Sequence, residues 1–73
     1  MNQNKPNLKY DHVFTIIRID DFQGSEVPIE SKIAVQKILW SEEEAETETV
    51  RLNNLNSDKG CRYFWQIARL ERR

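Results

Sequence analysis

The sequence is poor in the residues that usually reinforce a small domain. Its 73 residues include one cysteine, one histidine, two glycines and two prolines. A single cysteine excludes an intrachain disulfide, and Cys61 with His12 cannot supply the four ligands of a structural zinc site. A chain of this length buries only a modest core. Oligomerisation is therefore the form of reinforcement that the sequence leaves open.

Long apolar segments are also missing. The start, MNQNKPNLKYDH, lacks the apolar region of a secretory signal, and no run approaches the ~20 apolar residues of a membrane-spanning helix. The lone cysteine fits a reducing compartment. We therefore predict a cytoplasmic protein with no membrane partner.

Net charge is −1, but the charges are unevenly distributed along the chain. Residues 1–49 carry five basic and ten acidic side chains, whereas residues 50–73 carry six basic and two acidic ones. Such asymmetry affects electrostatic steering and does not determine the fold. The simplest interpretation is that an acidic helix and a basic strand end partly neutralise each other.

Two parts of the chain differ in composition. Residues 1–9 are polar and include Pro6, which predicts a disordered or loosely attached arm. Residues 10–73 are predicted to form a single small domain. Within it, segments 12–20, 33–40 and 61–70 are rich in β-branched and aromatic residues and predict strands. Segment 20–31 contains Gly24 and Pro28 and predicts a loop.

A helix is predicted to follow the second strand. Ser41 is a favourable N-cap, and Glu44 three residues later completes a capping box. Five glutamates lie between Glu42 and Glu48, and the first three occupy the turn where the helix dipole favours negative charge. The i,i+4 neighbours in the run, Glu42 with Glu46 and Glu44 with Glu48, are like-charged pairs, and the sequence places no further oxygen ligands for a metal ion beside them. We interpret the run as a solvated helix face, not as a metal site or an acid–base pair. The helix should end near Asn56, before a turn in which Gly60 takes a positive φ.

The order of elements is β-β-α-β, which predicts an α+β fold. A right-handed return through the helix places the third strand beside the first, giving a three-stranded antiparallel sheet in the order 2-1-3 with the helix on one face. We assigned the more apolar set of side chains to the helix. That set is Val13, Ile17, Ile19, Ile33, Val35, Leu39, Tyr63, Trp65 and Ile67.

The other predicted face mixes aromatic side chains with arginine and glutamine, as protein interfaces do. It predicts a surface for a partner, most simply a second copy packed sheet to sheet. An alternative is that the arm 1–11 or the loop 20–31 folds over this face. The candidate interface residues are Phe14, Ile16, Arg18, Gln36, Arg62, Phe64 and Gln66.

Other functions have weaker support in the sequence. Strand 62–73 interleaves aromatics with arginines, as in some proteins that bind single-stranded nucleic acid, but the chain is slightly acidic and lacks a basic footprint. No glycine-rich phosphate loop is present, and no second polar group is placed beside Cys61 to make it a nucleophile. We predict a non-catalytic protein with no catalytic, cofactor-binding or metal-binding residues.

One resemblance concerns the layout of residues 12–70. The runs 39-LWSEEEAETETVRLNNLN-56 and 63-YFWQIARL-70 resemble a layout found in small uncharacterised bacterial proteins. There a strand leads into S-x-E-E-A, a helix carries R-L-N, and a short turn precedes an aromatic closing strand. The resemblance implies a domain of unknown function and no catalytic residues that can be carried over.

Overall fold

The computed structural model describes residues 10–21 and 23–72. The predicted arm, residues 1–9, lies outside the described residues. The elements are β1 (Tyr10–Asp20), a short 3-10 helix (Ile29–Ser31), β2 (Ile33–Leu39), α1 (Glu42–Leu55) and β3 (Cys61–Glu71). The sheet has the strand order β2-β1-β3, and both pairings are antiparallel. The predicted α+β fold and strand order are confirmed.

Helix α1 begins where its capping residues predict. Ser41 is extended, with φ −128° and ψ 148°, and its Oγ accepts the backbone N–H of Glu44 at 3.1 Å. At the other end, the backbone N–H and the side-chain amide of Asn56 both donate to the carbonyl of Leu52. Gly60 has φ 73°, in the left-handed region that glycine tolerates best. These contacts end the helix and turn the chain into β3.

The last turn of α1 is joined to the outer edge of β3 by one asparagine. Asn53 Oδ1 accepts the backbone N–H of Tyr63 at 2.8 Å, and Asn53 Nδ2 donates to the backbone carbonyl of Tyr63 at 2.9 Å. We call this pair of bonds the Asn53 bridge. It satisfies both backbone groups of a nearly buried residue on an edge strand, where no neighbouring strand of the described chain supplies partners.

The core lies between α1 and one face of the sheet. Its centre is formed by Ile16, Leu52 and Tyr63, with Leu39, Cys61 and Trp65 packed around it. Ile16 has no exposed surface. On the helix side, Ala45 is fully buried, whereas Val50 is 55% exposed on the outer face, as the helical periodicity predicts.

The prediction of which side chains meet the helix is right for Leu39, Tyr63 and Trp65 and wrong for β1 and the start of β2. Val13, Ile17 and Ile19 lie on the face opposite α1, and Phe14 and Ile16 lie beneath the helix. The reason is the pairing of β1 with β3: Ile16 pairs with Trp65 and Ile17 with Phe64, so even-numbered residues of β1 share a face with odd-numbered residues of β3. A shift of one residue in the pairing moves every side chain to the other face.

An irregularity in β2 adds to the error. The pairing with β1 shifts between Ile16 and Ile17, so that Lys37 pairs with Ile16, Val35 pairs with Ile17, and Gln36 is left as the extra residue. The alternation of faces is therefore interrupted at Gln36. Lys37 and Leu39 lie on the helix side, whereas Ile33 and Val35 lie on the other.

We expect the Asn53 bridge to contribute measurably to stability. Asn53→Ala should lower the free energy of unfolding by about 1–3 kcal/mol, because it leaves two backbone groups of a nearly buried residue without partners. Asn54→Ala is the matched control, since Asn54 is an exposed neighbour in the same helical turn. Urea denaturation followed by circular dichroism measures both, and equal losses would contradict the role of the bridge.

Candidate interaction surface

The seven predicted interface residues do not share one face. Arg62, Phe64 and Gln66 lie on the sheet face away from α1, as predicted. Phe14, Ile16 and Arg18 lie on the helix-covered face, and Gln36 is the extra residue of β2. The grouping of these seven into one surface is wrong, because it assumed a pairing between β1 and β3 that is one residue out of step.

The face opposite α1 is nevertheless largely apolar. We call it the open face, and its side chains follow from the pairing of the three strands. It comprises Val13, Thr15, Ile17 and Ile19 of β1, Ile33, Val35 and Ile38 of β2, and Arg62, Phe64, Gln66, Ala68 and Leu70 of β3.

Apolar side chains continue across the open face from one edge to the other. At its centre, Val35, Ile17 and Phe64 form a row over the three strands. Val35 is 64% exposed and Ile38 is 58% exposed, whereas Ile17 and Phe64 are half-buried by their neighbours. A sheet face that meets only water usually carries alternating polar side chains. This one has the composition of a surface that is covered by another layer.

None of the described helices covers the open face. Helix α1 packs on the other side, and the 3-10 helix in the loop contacts β2 and no other strand. The backbone bond from Asp20 N to Lys32 O, 2.8 Å long, closes the loop at its base. Tyr10 and Asp11 belong to the segment 1–11 that is the predicted alternative cover, but they are part of β1. Neither described helix therefore forms a second layer over the open face, although Val13 on this face is only 3% exposed.

The charges near the open face are paired. Arg62 Nε lies 2.5 Å from Asp21 Oδ2, and Arg72 Nη2 lies 3.3 Å from Asp11 Oδ1. Arg69, in contrast, lies on the helix side of β3, where its guanidinium stacks 4.8 Å above the ring of Tyr10. The arginines of the last strand thus do not form a single basic surface beside the aromatic side chains.

The acidic helix contributes ion pairs and hydrogen bonds to the fold. Glu46 Oε1 accepts the indole N–H of Trp65 at 3.1 Å. Glu48 accepts hydrogen bonds from Arg51 at 2.8 Å and from Lys37 of β2 at 2.6 Å. These bonds, with Arg51 contributing most, lower the pKa of Glu48 to about 2 from its ordinary value of 4.5. Glu46 and Glu48, the last two glutamates of the run, therefore bond α1 to β3 and to β2.

A groove lies beside this ion network, between α1 and β2. It has a volume of about 460 Å³ and is lined by Lys37, Leu39, Glu43, Glu44, Thr47 and Glu48. Lys37, the cation that lines the groove, is already paired with the Glu48 carboxylate. The groove is wide and shallow, and the ion pair of Lys37 with Glu48 joins α1 to β2.

Two reactive residue types are far apart. His12 pairs with Arg69 near one end of β1, and Cys61 pairs with Asp20 at the other end. Eight residues of extended strand separate them, or roughly 26 Å, so this geometry provides no cysteine–histidine pair.

The polar groups around Cys61 interact with one another instead. Cys61 lies close to Tyr63, and burial together with this thiol raises the pKa of Tyr63. Arg18 Nε is 3.2 Å from Asp20 Oδ1, but the two are too poorly aligned for a hydrogen bond.

In the described part of the chain, no group of three or more histidine, cysteine, aspartate or glutamate side chains is placed to hold a metal ion. None of the helices among these residues is long and apolar enough to span a membrane.

Comparison with protein-family models, curated proteins and solved structures finds no match to this chain. The resemblance in layout to small uncharacterised bacterial proteins therefore stays a prediction.

The Glu48 network predicts a specific dependence of stability on pH. Because folding lowers the pKa of Glu48, its pairing stabilises the fold above pH 4.5, and this contribution is lost as the pH falls toward 2. Glu48→Gln should lower the melting temperature at pH 7, and the difference from the unmodified protein should shrink at pH 2.5. Thermal melts at both pH values measure this.

Glu43→Gln is the matched control for this measurement, because Glu43 forms no ion pair with a described residue. Its effect at pH 7 should be the smaller of the two. A Glu48→Gln difference that is the same at pH 7 and pH 2.5 would contradict the assignment.

Proposed function

We propose that this protein is a non-catalytic protein-interaction module, and that it assembles through the open face with a second copy of itself. The observation that carries the proposal is the continuous apolar row of Val35, Ile17 and Phe64 on a face that neither described helix covers. Two such faces pack about 10 Å apart in a β-sandwich and exclude water from both.

The small core supports this proposal. The buried apolar residues among those described are Val13, Ile16, Ala45, Leu52 and Tyr63. A domain with so few buried side chains has little surplus stability, and it has no disulfide to add to it. Covering the open face would bury further apolar area, at roughly 25 cal/mol for each Å² removed from water.

The charges around the face favour a second copy over a strongly charged partner. Arg62 and Arg72 are each paired with an aspartate of the same chain. Two identical faces can therefore approach each other without net repulsion at these positions, and the same surface on both partners gives a closed two-fold dimer.

Binding of single-stranded nucleic acid is the alternative that the sequence raised. That function needs unpaired cations beside exposed aromatic rings. Here Phe64 is half-buried, Arg62 is paired, and Arg69 lies on the opposite face over Tyr10. These positions give protein association the stronger support.

Two valines of similar exposure provide the test. Val35 lies at the centre of the open face and Val50 on the outer face of α1, and they are 64% and 55% exposed. Val35→Glu should weaken self-association at least about tenfold, because burying an unpaired carboxylate costs more than the 1.4 kcal/mol that corresponds to tenfold. Val50→Glu should leave association unchanged, since that side chain stays in water.

Light scattering over a concentration series measures the solution mass of both variants and of the unmodified protein. The proposal would be overturned if the unmodified protein stays monomeric at all concentrations. It would also be overturned if Val35→Glu and Val50→Glu associate equally. Ile16 is not used for this test, because it is the centre of the core and its replacement by glutamate would unfold the domain.

A further inference from the structure

The two outer edges of the sheet are protected to different degrees. Because β1 lies in the middle, β2 and β3 each present one row of backbone groups away from it. Such a row can pair with another strand, and proteins usually blunt it with bulges, lysines or short strands. β2 has all three of these features: it is seven residues long, it is irregular at Gln36, and it contains Lys37.

β3 lacks this protection over most of its length. It has eleven residues, no proline and an uninterrupted pairing with β1 from Cys61 to Glu71. Its outer edge is closed near the start by the Asn53 bridge, which occupies both backbone groups of Tyr63. The edge is thus blocked at one residue and continues as a straight strand beyond it.

The bridge also shows which backbone groups face outward. In an antiparallel ladder the direction of these groups alternates along the strand, so those of Trp65, Ile67, Arg69 and Glu71 point the same way as those of Tyr63. Trp65 agrees with this, because its carbonyl accepts the exposed side-chain amide of Gln66 at 2.9 Å instead of a bond from β1. Within the described chain, no strand pairs with this edge.

We propose that the outer edge of β3 from Trp65 to Glu71 pairs antiparallel with the same segment of a second copy. The free stretch is centred on Ala68, so pairing over its whole length places Ala68 opposite Ala68 of the other copy. Moving the centre of the pairing one residue toward the start of the strand, to Ile67, would place Glu71 opposite Tyr63, whose backbone groups are already bonded to Asn53. Moving the centre one residue toward the end would place Arg69 opposite Arg69, and like charges that face each other are destabilising.

The side chains fit the Ala68-centred pairing. Ile67 lies opposite Arg69, whose aliphatic stem can cover it, and Trp65 lies opposite Glu71. No like charges are directly opposed, and the small Ala68 side chains allow close approach at the two-fold axis. The product is a six-stranded sheet with both helices on one side and both open faces on the other. This surface is separate from the open face, and together the two would give a tetramer.

A proline tests the backbone contribution. Ile67→Pro removes an outward-facing N–H, and proline is tolerated in an edge strand at such a position. Ile67→Thr is the matched control, because it keeps both the N–H and the β-branched shape. With folding checked by circular dichroism, the solution mass of Ile67→Pro should be half that of the unmodified protein and of Ile67→Thr. Equal masses for all three would overturn the proposal.

The same measurement separates this proposal from the proposed function. Val35→Glu alone should give an edge-paired dimer, Ile67→Pro alone a face-paired dimer, and the double variant a monomer. If Val35→Glu is monomeric and Ile67→Pro matches the unmodified protein, the edge proposal is wrong and the open face stands. If Ile67→Pro is monomeric and Val35→Glu matches the unmodified protein, the edge proposal stands and the open face does not.

A disulfide tests the register and does not depend on a proline being tolerated. In a Cys61→Ser, Val35→Glu background, Ala68→Cys should form a disulfide-linked dimer under mild oxidation, since residues facing each other in such a pair have Cα atoms close enough to bridge. Gln66→Cys in the same background lies opposite Leu70 and should stay monomeric on a non-reducing gel. Absence of the Ala68→Cys dimer, or equal crosslinking of both variants, would overturn the proposed pairing.

Discussion

The pairing of β1 with β3 is the constraint on which the other features depend. It runs without a break from Tyr10 with Glu71 to Asp20 with Cys61. It decides that Ile16 and Trp65 lie under the helix and that Ile17 and Phe64 do not. Since β2 and α1 each pack against a surface that this pairing defines, both the core and the open face follow from it.

The sequence contains enough information for the elements and their order. The Ser41 cap, the turn at Gly60 and the composition of the three strands are local signals, and each is found where it was predicted. The β2-β1-β3 order was predicted from a right-handed return through the helix, and strand 12–20, which is apolar on both faces, suits a central position.

The composition of the candidate surface was harder to predict. Both faces of β1 carry isoleucines, so hydrophobicity does not select the pairing with β3, and a shift of one residue exchanges the faces. The irregularity at Gln36 has no glycine or proline to mark it. Asn53 was also missed, because an asparagine near a helix end is common and only its position over Tyr63 gives it a role. Arg62, Phe64 and Gln66 do lie on the face away from the helix, and their part in an interface stays a prediction.

The Asn53 bridge has a consequence for how the chain folds. It joins residues ten positions apart, and the capped helix, the Gly60 turn and the start of β3 lie within one continuous segment. The β1–β3 pairing, in contrast, joins residues up to 61 positions apart, from Tyr10 to Glu71. Contacts between residues close in sequence cost less chain entropy to form. The helix–turn–strand segment is therefore suited to form early, as a template onto which β1 docks and which sets the faces of the whole sheet.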